Sequence, residues 1–305
     1  MEVADKIRES LGAINDLVEM GLLDQAEQLL KNSLGEWGRH TELLRLKELI
    51  DTKRRGGPRP EANDGKYCPV CGNWVNEFSP LPEYYIQNML RHRFKHIGRG
   101  EMTSIDEYSC PNCGASDRER LYSYWIEHEA RQGRFSNYVK MLHFAPEEAL
   151  AKKLRTMNIF REYKTADMSM PNVDYTVDIT SLPFENESVD FFICSHILEH
   201  VPDDRLAISE LYRITRGGGR GLLMVPVVTG IMDSVEGTPE MNNSERWKFF
   251  GQDDHVRLYA HDDFVRKVVK SGFHLMELGI DYFGERVFGM LGLLETSRLY
   301  VVEKW

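Results

Sequence analysis

Four of the five cysteines fall in two copies of one pattern, Cys68-Pro69-Val70-Cys71-Gly72 and Cys110-Pro111-Asn112-Cys113-Gly114. In each copy the proline shapes a turn and the glycine frees the backbone behind the second sulfur, so each copy offers two thiolates. Four thiolates at about 2.3 Å fill a tetrahedral shell around Zn²⁺ and leave no open position for a substrate or an activated water. The expected site of Cys68, Cys71, Cys110 and Cys113 is therefore structural zinc, favoured over a dithiol redox pair and, in a reducing compartment, over disulfides. The stretch between the two knuckles, residues 72–109, is longer than an ordinary ribbon allows and must contain an insertion. Cys194 stands alone in an apolar run and is expected in the core.

The insertion contains Tyr84-Tyr85-Ile86-Gln87-Asn88-Met89-Leu90-Arg91-His92-Arg93-Phe94-Lys95-His96, which predicts a helix with aromatic residues and bases near its end. The bases suit an anionic acceptor, but a solvated helix face explains them without any ligand and is the preferred reading. Ser116-Asp117-Arg118-Glu119-Arg120-Leu121 opens a further helix that joins the ribbon to the larger C-terminal segment.

From Tyr138 onward, strand-like and helix-like runs alternate as in an open parallel sheet. Residues 138–144 read as a buried first strand, Ala145-Pro146 as a turn and residues 147–154 as a helix. Residues 163–166 form a short second strand that ends in Asp167. This acid lies roughly twenty residues beyond the first turn, where an open α/β fold places a carboxylate for ribose hydroxyls. Third and fourth strands are expected over residues 174–179 and 188–196.

Asp178-Ile179-Thr180-Ser181-Leu182-Pro183-Phe184, then Ser188-Val189-Asp190, then Ile197-Leu198-Glu199-His200-Val201-Pro202 together resemble the class I S-adenosylmethionine-dependent methyltransferases. Downstream, Glu210-Leu211-Tyr212-Arg213-Ile214-Thr215-Arg216-Gly217-Gly218-Gly219 resembles that family's helix and glycine turn before strand five, and residues 222–227 resemble the strand itself. The likeness implies an α/β fold with a seven-stranded Rossmann-like methyltransferase sheet, whose last strand, residues 298–303, inserts antiparallel. The zinc knuckles, the Ala-Pro-Glu turn and Phe250-Gly251-Gln252-Asp253-Asp254-His255-Val256-Arg257 are similar to a bacterial subgroup of zinc-ribbon methyltransferases often linked with surface sugars.

Carried over residue by residue, the resemblance implies that Phe144, Ala145, Pro146 and Glu147 contact the methionine part of S-adenosylmethionine. Asp167, with Met168, would take the ribose, and Asp178, with Ile179, the adenine; Ser195 and His196 would border the sulfonium. Where the family has a glycine-rich loop, this chain has Phe144-Ala145-Pro146-Glu147, and Glu147 is a candidate for the amino group. Methyl transfer needs nucleophile, methyl carbon and sulfur in line, so alignment supplies much of the acceleration. A hydroxyl acceptor also gains from an imidazole near its working pH. His255, between strand five and the helix at residues 262–269, lies at the carboxyl edge of the sheet and is the first candidate, followed by His196. His200 and His143 read as structural. Asp253, Asp254 and Arg257 either complete a polar acceptor pocket or form a loop held by its own ion pairs. Arg246 belongs to the same insertion, as does Trp247, which either stacks on a sugar or anchors a lid.

Composition narrows the classes around this site. A net charge of −10 opposes broad attraction to phosphate backbones, so nucleic acid is not an expected partner. No apolar run reaches the roughly 18 residues that span a bilayer, and the start Met1-Glu2-Val3-Ala4-Asp5 lacks the signature of an export signal; a cytoplasmic protein is expected. Apolar residues at helical spacing, Ile7, Leu11, Ile14 and Leu17, then Leu22, Ala26, Leu29 and Leu30, then Leu43, Leu46, Leu49 and Ile50, predict a small helical hairpin or bundle with tetratricopeptide-like character. It can pack on its own chain, form a homodimer or hold a protein partner. The expected organisation is thus helices over 1–52, a linker over 53–66, a zinc ribbon with a helical insertion over 67–134 and the methyltransferase domain over 135–305. The preferred activity is O-methylation of a sugar or related hydroxylated metabolite. RNA base methylation and a non-catalytic scaffold are the alternatives.

Overall fold

The computed structural model describes residues 10–14, 23–37, 43, 45–47, 50, 65–138 and 140–305. The chain divides into two compact units, Met1–Asn63 and Asp64–Trp305. In the first, helix α1 (Leu23–Trp37) contributes Ala26 and Leu30 to a cluster with Ile14, Leu43, Leu46 and Ile50. The four-residue step from Ala26 to Leu30 puts both on one helical face, as the sequence period requires. Ile7, Leu17, Leu22, Leu49 and residues 53–64 of the expected linker lie outside the described residues.

The second unit begins with a hairpin of β1 (Lys66–Cys68) and β2 (Asn73–Val75), followed by α2 (Glu83–Arg91) and α3 (Asp117–Arg131). Ser116 caps α3 through a reciprocal box: its hydroxyl faces the Glu119 amide while the Glu119 carboxylate accepts from the Ser116 amide. Helix α3 buries Leu121, Tyr122, Trp125 and Ile126 in the core of the large sheet, so it ties the knuckles to that sheet.

The sheet runs through β3 (Lys140–Phe144), α4 (Glu148–Met157), β4 (Glu162–Asp167), β5 (Tyr175–Thr176), β6 (Val189–Ser195), α5 (Asp204–Ile214) and β7 (Thr215–Met224). A small ladder, β8 (Val235–Glu236) with β9 (Arg257–Leu258), flanks α6 (Asn243–Phe250). The chain then closes through α7 (His261–Lys270), β10 (His274–Leu278), α8 (Ile280–Phe283), α9 (Glu285–Leu291) and β11 (Leu299–Glu303). The strand order is β10-β11-β7-β6-β3-β4-β5, with β3 to β7 parallel and β11 antiparallel to both its neighbours. This is a seven-stranded, mostly parallel Rossmann-like sheet of the kind the resemblance implies. Its direction of winding reverses between β3 and β6, and crevices for ligands form at the carboxyl ends on either side of such a reversal. Every residue of β6 is buried, as a central parallel strand covered on both faces must be.

Two expected elements differ. The third strand shrinks to Tyr175–Thr176, because Asp174 turns its carboxylate back onto the amide and hydroxyl of Thr165, and Asp178 accepts from Thr180. These local side-chain bonds compete with the ladder. The glycines 217–219 do not precede strand five but lie within β7 as a bulge, where pairing jumps from Val189 opposite Thr215 to Phe191 opposite Arg220. Further along β7, Gly221 is required sterically, since a Cβ there would stand 2.3 Å from the Phe192 ring.

Candidate functional site

The two knuckles close on each other. Cys68 Sγ lies 3.7 Å from Cys113 Sγ, Cys71 Sγ lies 3.9 Å from Cys110 Sγ, and all four sulfurs fall within 4.8 Å of one another. Tetrahedral thiolates at zinc stand about 3.8 Å apart, close to both of these pair separations, so the donor set suits the ion. Gly72 and Gly114 both take positive φ and donate their amides to Cys68 and Cys110 at 2.8 Å. That geometry is the reason each knuckle ends in glycine. Burial pushes the Cys113 thiol up to about 12, so entry of a cation displaces protons.

The parallel registers bring the expected cofactor residues to one edge. Phe144 pairs with Ala166 on one side and Cys194 on the other, so Ala145, Asp167 and Ser195 follow side by side on three adjacent strands. Ala145 has φ of 44°, a left-handed conformation that costs a residue with a Cβ about 1–2 kcal/mol. The alanine thus makes the bend a glycine would make, and its amide is spent on Ala166 O at 2.9 Å. After Pro146, Glu147 caps α4 by its backbone alone. One carboxylate oxygen meets His143 Nε2 at 3.0 Å, and the other stands 3.8 Å from Arg118 Nε. Burial would raise Glu147, but the His143 bond and the Arg118 charge outweigh it and hold the carboxyl below its usual range. His143, itself fully buried and bonded to Tyr163 Oη at 2.8 Å, is a core residue as expected, and it also orients Glu147.

Asp167 accepts the amides of Ser169 and Met170 on one oxygen, at 2.7 and 2.6 Å. Met168 is exposed beside it. Asp178 is exposed and held ionised by the Thr180 amide and hydroxyl, while Ile179 is buried below. Ser195 Oγ is 3.0 Å from Tyr122 Oη, so the helix behind the knuckles fixes the end of β6. His196 then turns left-handed, with φ of 55°.

A cavity of about 350 Å³ opens next to this edge, and of the expected site residues His196 and His255 line it. Tyr85 and Met89 of α2, with Phe94 and His96 beyond its end, form one wall, so the insertion between the knuckles lines the cavity, while the bases Arg91, Arg93 and Lys95 are exposed, as a solvated face requires. His92 and Tyr84 pack on Trp247, whose ring is buried as an anchor. At the inner end Glu199, fully buried, lies among His196, His200 and His255. Burial would raise Glu199, but His196, His255 and His200 hold it down to about 2. Burial likewise drives His255 down to about 4, so its ring is neutral around neutral pH. Arg257, considered as an acceptor ligand, instead donates to the carbonyls of Leu198, Val201 and Pro202 and to Glu236, and so braces the turn carrying Glu199 and His200.

Glu199, His200 and Arg118 are site residues to which the sequence alone assigns no part in the chemistry. For Glu199 a signal existed: an acid flanked by His196 and His200 within a short, partly apolar run. For Arg118 there was none, because its partner Glu147 is remote in the chain.

Residues 139–223 match the family model described as a methyltransferase domain. An uncharacterized methyltransferase of Mycobacterium sp. (strain KMS) is 45% identical over 51 residues, 17% of this chain and 20% of that protein. The chain therefore matches about a fifth of the length of these curated relatives. Among solved structures, the YcgJ protein from Bacillus subtilis aligns with a TM-score of 0.35 at 13% identity, over 58% of this chain and 99% of that one. A SAM-dependent methyltransferase from Archaeoglobus fulgidus aligns with a TM-score of 0.37 at 11% identity, over 63% and 95%. The strand order of the seven-stranded sheet, rather than these distant likenesses, identifies the fold.

Proposed function

We propose that this chain is an S-adenosylmethionine-dependent methyltransferase that O-methylates a sugar or related hydroxylated metabolite. The observation that carries the reading is the cavity beside His196, where the strand-end edge meets a wall built by the cysteine-flanked insertion. Its volume suits a monosaccharide-sized group rather than a polymer. Its lining mixes aromatic faces, Tyr85, Phe94 and Phe250, with hydrogen-bonding groups, Tyr108, His96 and Asp254. Such a mixture suits a ring that is apolar on its faces and polar on its rim.

In this reading Asp167 and Asp178, with Met168 and Ile179, hold the nucleoside, and Phe144 to Glu147 with Ser195 hold the amino-acid tail. The ionised Glu147 takes the ammonium, and the Arg118 guanidinium, whose Nε lacks a hydrogen-bond partner, takes the carboxylate. The cofactor supplies an electrophilic methyl. His196 faces the acceptor hydroxyl with its Nε2 free of any hydrogen bond, and His255 lines the cavity beside it. The cysteines hold structural zinc and so fix the insertion that encloses the acceptor. RNA is disfavoured because the chain carries a net charge of −10, which opposes attraction to a phosphate backbone. The test is an acceptor screen with methyl-labelled cofactor over nucleotide sugars, oligosaccharides and RNA. Label in a sugar supports the reading, and label in RNA alone refutes it.

A further inference from the structure

We infer that Glu199, His200 and His255 form a second metal site, separate from the cysteines, that takes a divalent transition cation such as Zn²⁺ at the inner end of the acceptor cavity. One donor atom from each of the three lies within 4.8 Å of the others. Two imidazoles and one carboxylate are a donor set that suits zinc and its first-row neighbours, and three protein ligands leave room for a substrate oxygen.

Two buried side chains of the cluster carry polar atoms without partners. Glu199 is fully buried, yet neither of its carboxylate oxygens makes a hydrogen bond. Its nearest neighbours are the ring nitrogens His196 Nδ1 at 3.3 Å and His200 Nε2 at 4.0 Å, ion-pair contacts that leave Oε2 with no partner at all. His255, 4% exposed, likewise leaves Nδ1 without a partner. Buried polar groups are normally satisfied, and a carboxylate is among the costliest to leave bare.

The supporting frame matches a ligand set. Asp254 faces His200 Nδ1, with a carboxylate oxygen at 3.5 Å and its carbonyl at 3.4 Å, which leaves Nε2 for a metal. The Val256 amide donates to Glu199 O at 2.8 Å, joining the segment that carries His255 to the one that carries Glu199. Arg257 fixes the same turn from below through its carbonyls.

Resting on the reading of this cavity as the acceptor site, the cation would bind the acceptor hydroxyl and lower its pKa. The hydroxyl proton passes to His196, the oxygen bonds to the methyl carbon, and the carbon–sulfur electron pair returns to sulfur, turning sulfonium into thioether. The test uses the full chain with its cysteine site already loaded with zinc, titrated with further Zn²⁺ by calorimetry and checked by elemental analysis. The expected result is a second equivalent in the wild type, with affinity lowered roughly tenfold or more in Glu199→Gln and in His200→Ala. His200 is part-exposed, so its truncation spares the core. No second equivalent in the wild type, or unchanged binding in both variants, overturns the site. Titration of the same samples with S-adenosylmethionine separates the two claims. Cofactor binding without a second metal rejects this site alone, and a second metal without cofactor binding rejects the methyltransferase reading alone.

Discussion

Replacing Arg257 with methionine should destabilise the second unit severely while leaving its secondary structure recognisable. The guanidinium is 2% exposed and donates to three backbone carbonyls of one turn, those of Leu198, Val201 and Pro202, and to the Glu236 carboxylate. A hydrogen bond to a charged group contributes about 1.5–3 kcal/mol, and stripping a buried charge network of one member costs about 3–5 kcal/mol. Methionine keeps the apolar stem but none of the donors, so the loss should fall near ~4 kcal/mol. For a unit of this size that corresponds to a fall in Tm of about 8–16 °C. Glu236 is half exposed, and Glu236→Gln, which removes its ion pairs with Arg257 and Lys267 but leaves the buried carbonyl contacts, should cost about 1 kcal/mol. Urea unfolding followed by circular dichroism measures both. A change below about 1 kcal/mol for Arg257→Met would show that the turn does not depend on this residue, and would remove the physical basis for a preset Glu199 and His200.

Three further outcomes are expected. Cys110→Ser should release the zinc of the knuckles and lower Tm, since structural zinc contributes directly to folding; metal analysis showing full zinc content with unchanged Tm would contradict it. Asp178→Ala should weaken S-adenosylmethionine binding while leaving Tm within about 2 °C of the parent, because the side chain is exposed and bonds only to Thr180; unchanged affinity would remove Asp178 from the cofactor site. Glu101 is buried, its carboxylate bonded to the Tyr300 hydroxyl with Arg298 Nε 3.6 Å away, and burial outweighs both to push it up from 4.5 to about 7. Between those values the unfolded chain has lost this proton and the folded chain keeps it, so the group makes stability fall as pH rises through the window and level off above it. Glu101→Gln should therefore gain on the wild type between about pH 5 and pH 8, by on the order of 2 kcal/mol in paired denaturant titrations; a constant difference would refute the assignment.

What could be read from the chain was what local chemistry determines. The knuckles announce themselves because cysteine, proline and glycine each have one use at that spacing, and the buried strands 140–144 and 189–195 because their apolar runs leave little else. The positions after those strands were legible for the same reason, since the register of a parallel sheet carries Ala145, Asp167 and Ser195 to one edge together. The bend at Ala145 is a partial exception, because alanine gives no hint of a positive φ. The brevity of β5 was hidden in side-chain bonds from Asp174 and Asp178, which periodicity does not see. Least legible was the cavity. It depends on the contact of α2 and the loop after it with residues 250–258, and on Arg118 reaching Glu147, encounters between segments far apart in sequence that no local pattern records.

Calorimetric titration of the zinc-loaded full chain with S-adenosylmethionine probes the strand-end edge most directly. One saturable site per chain, weakened by Asp178→Ala, is the predicted result, and a folded, zinc-loaded protein that takes up no cofactor would contradict the methyltransferase reading.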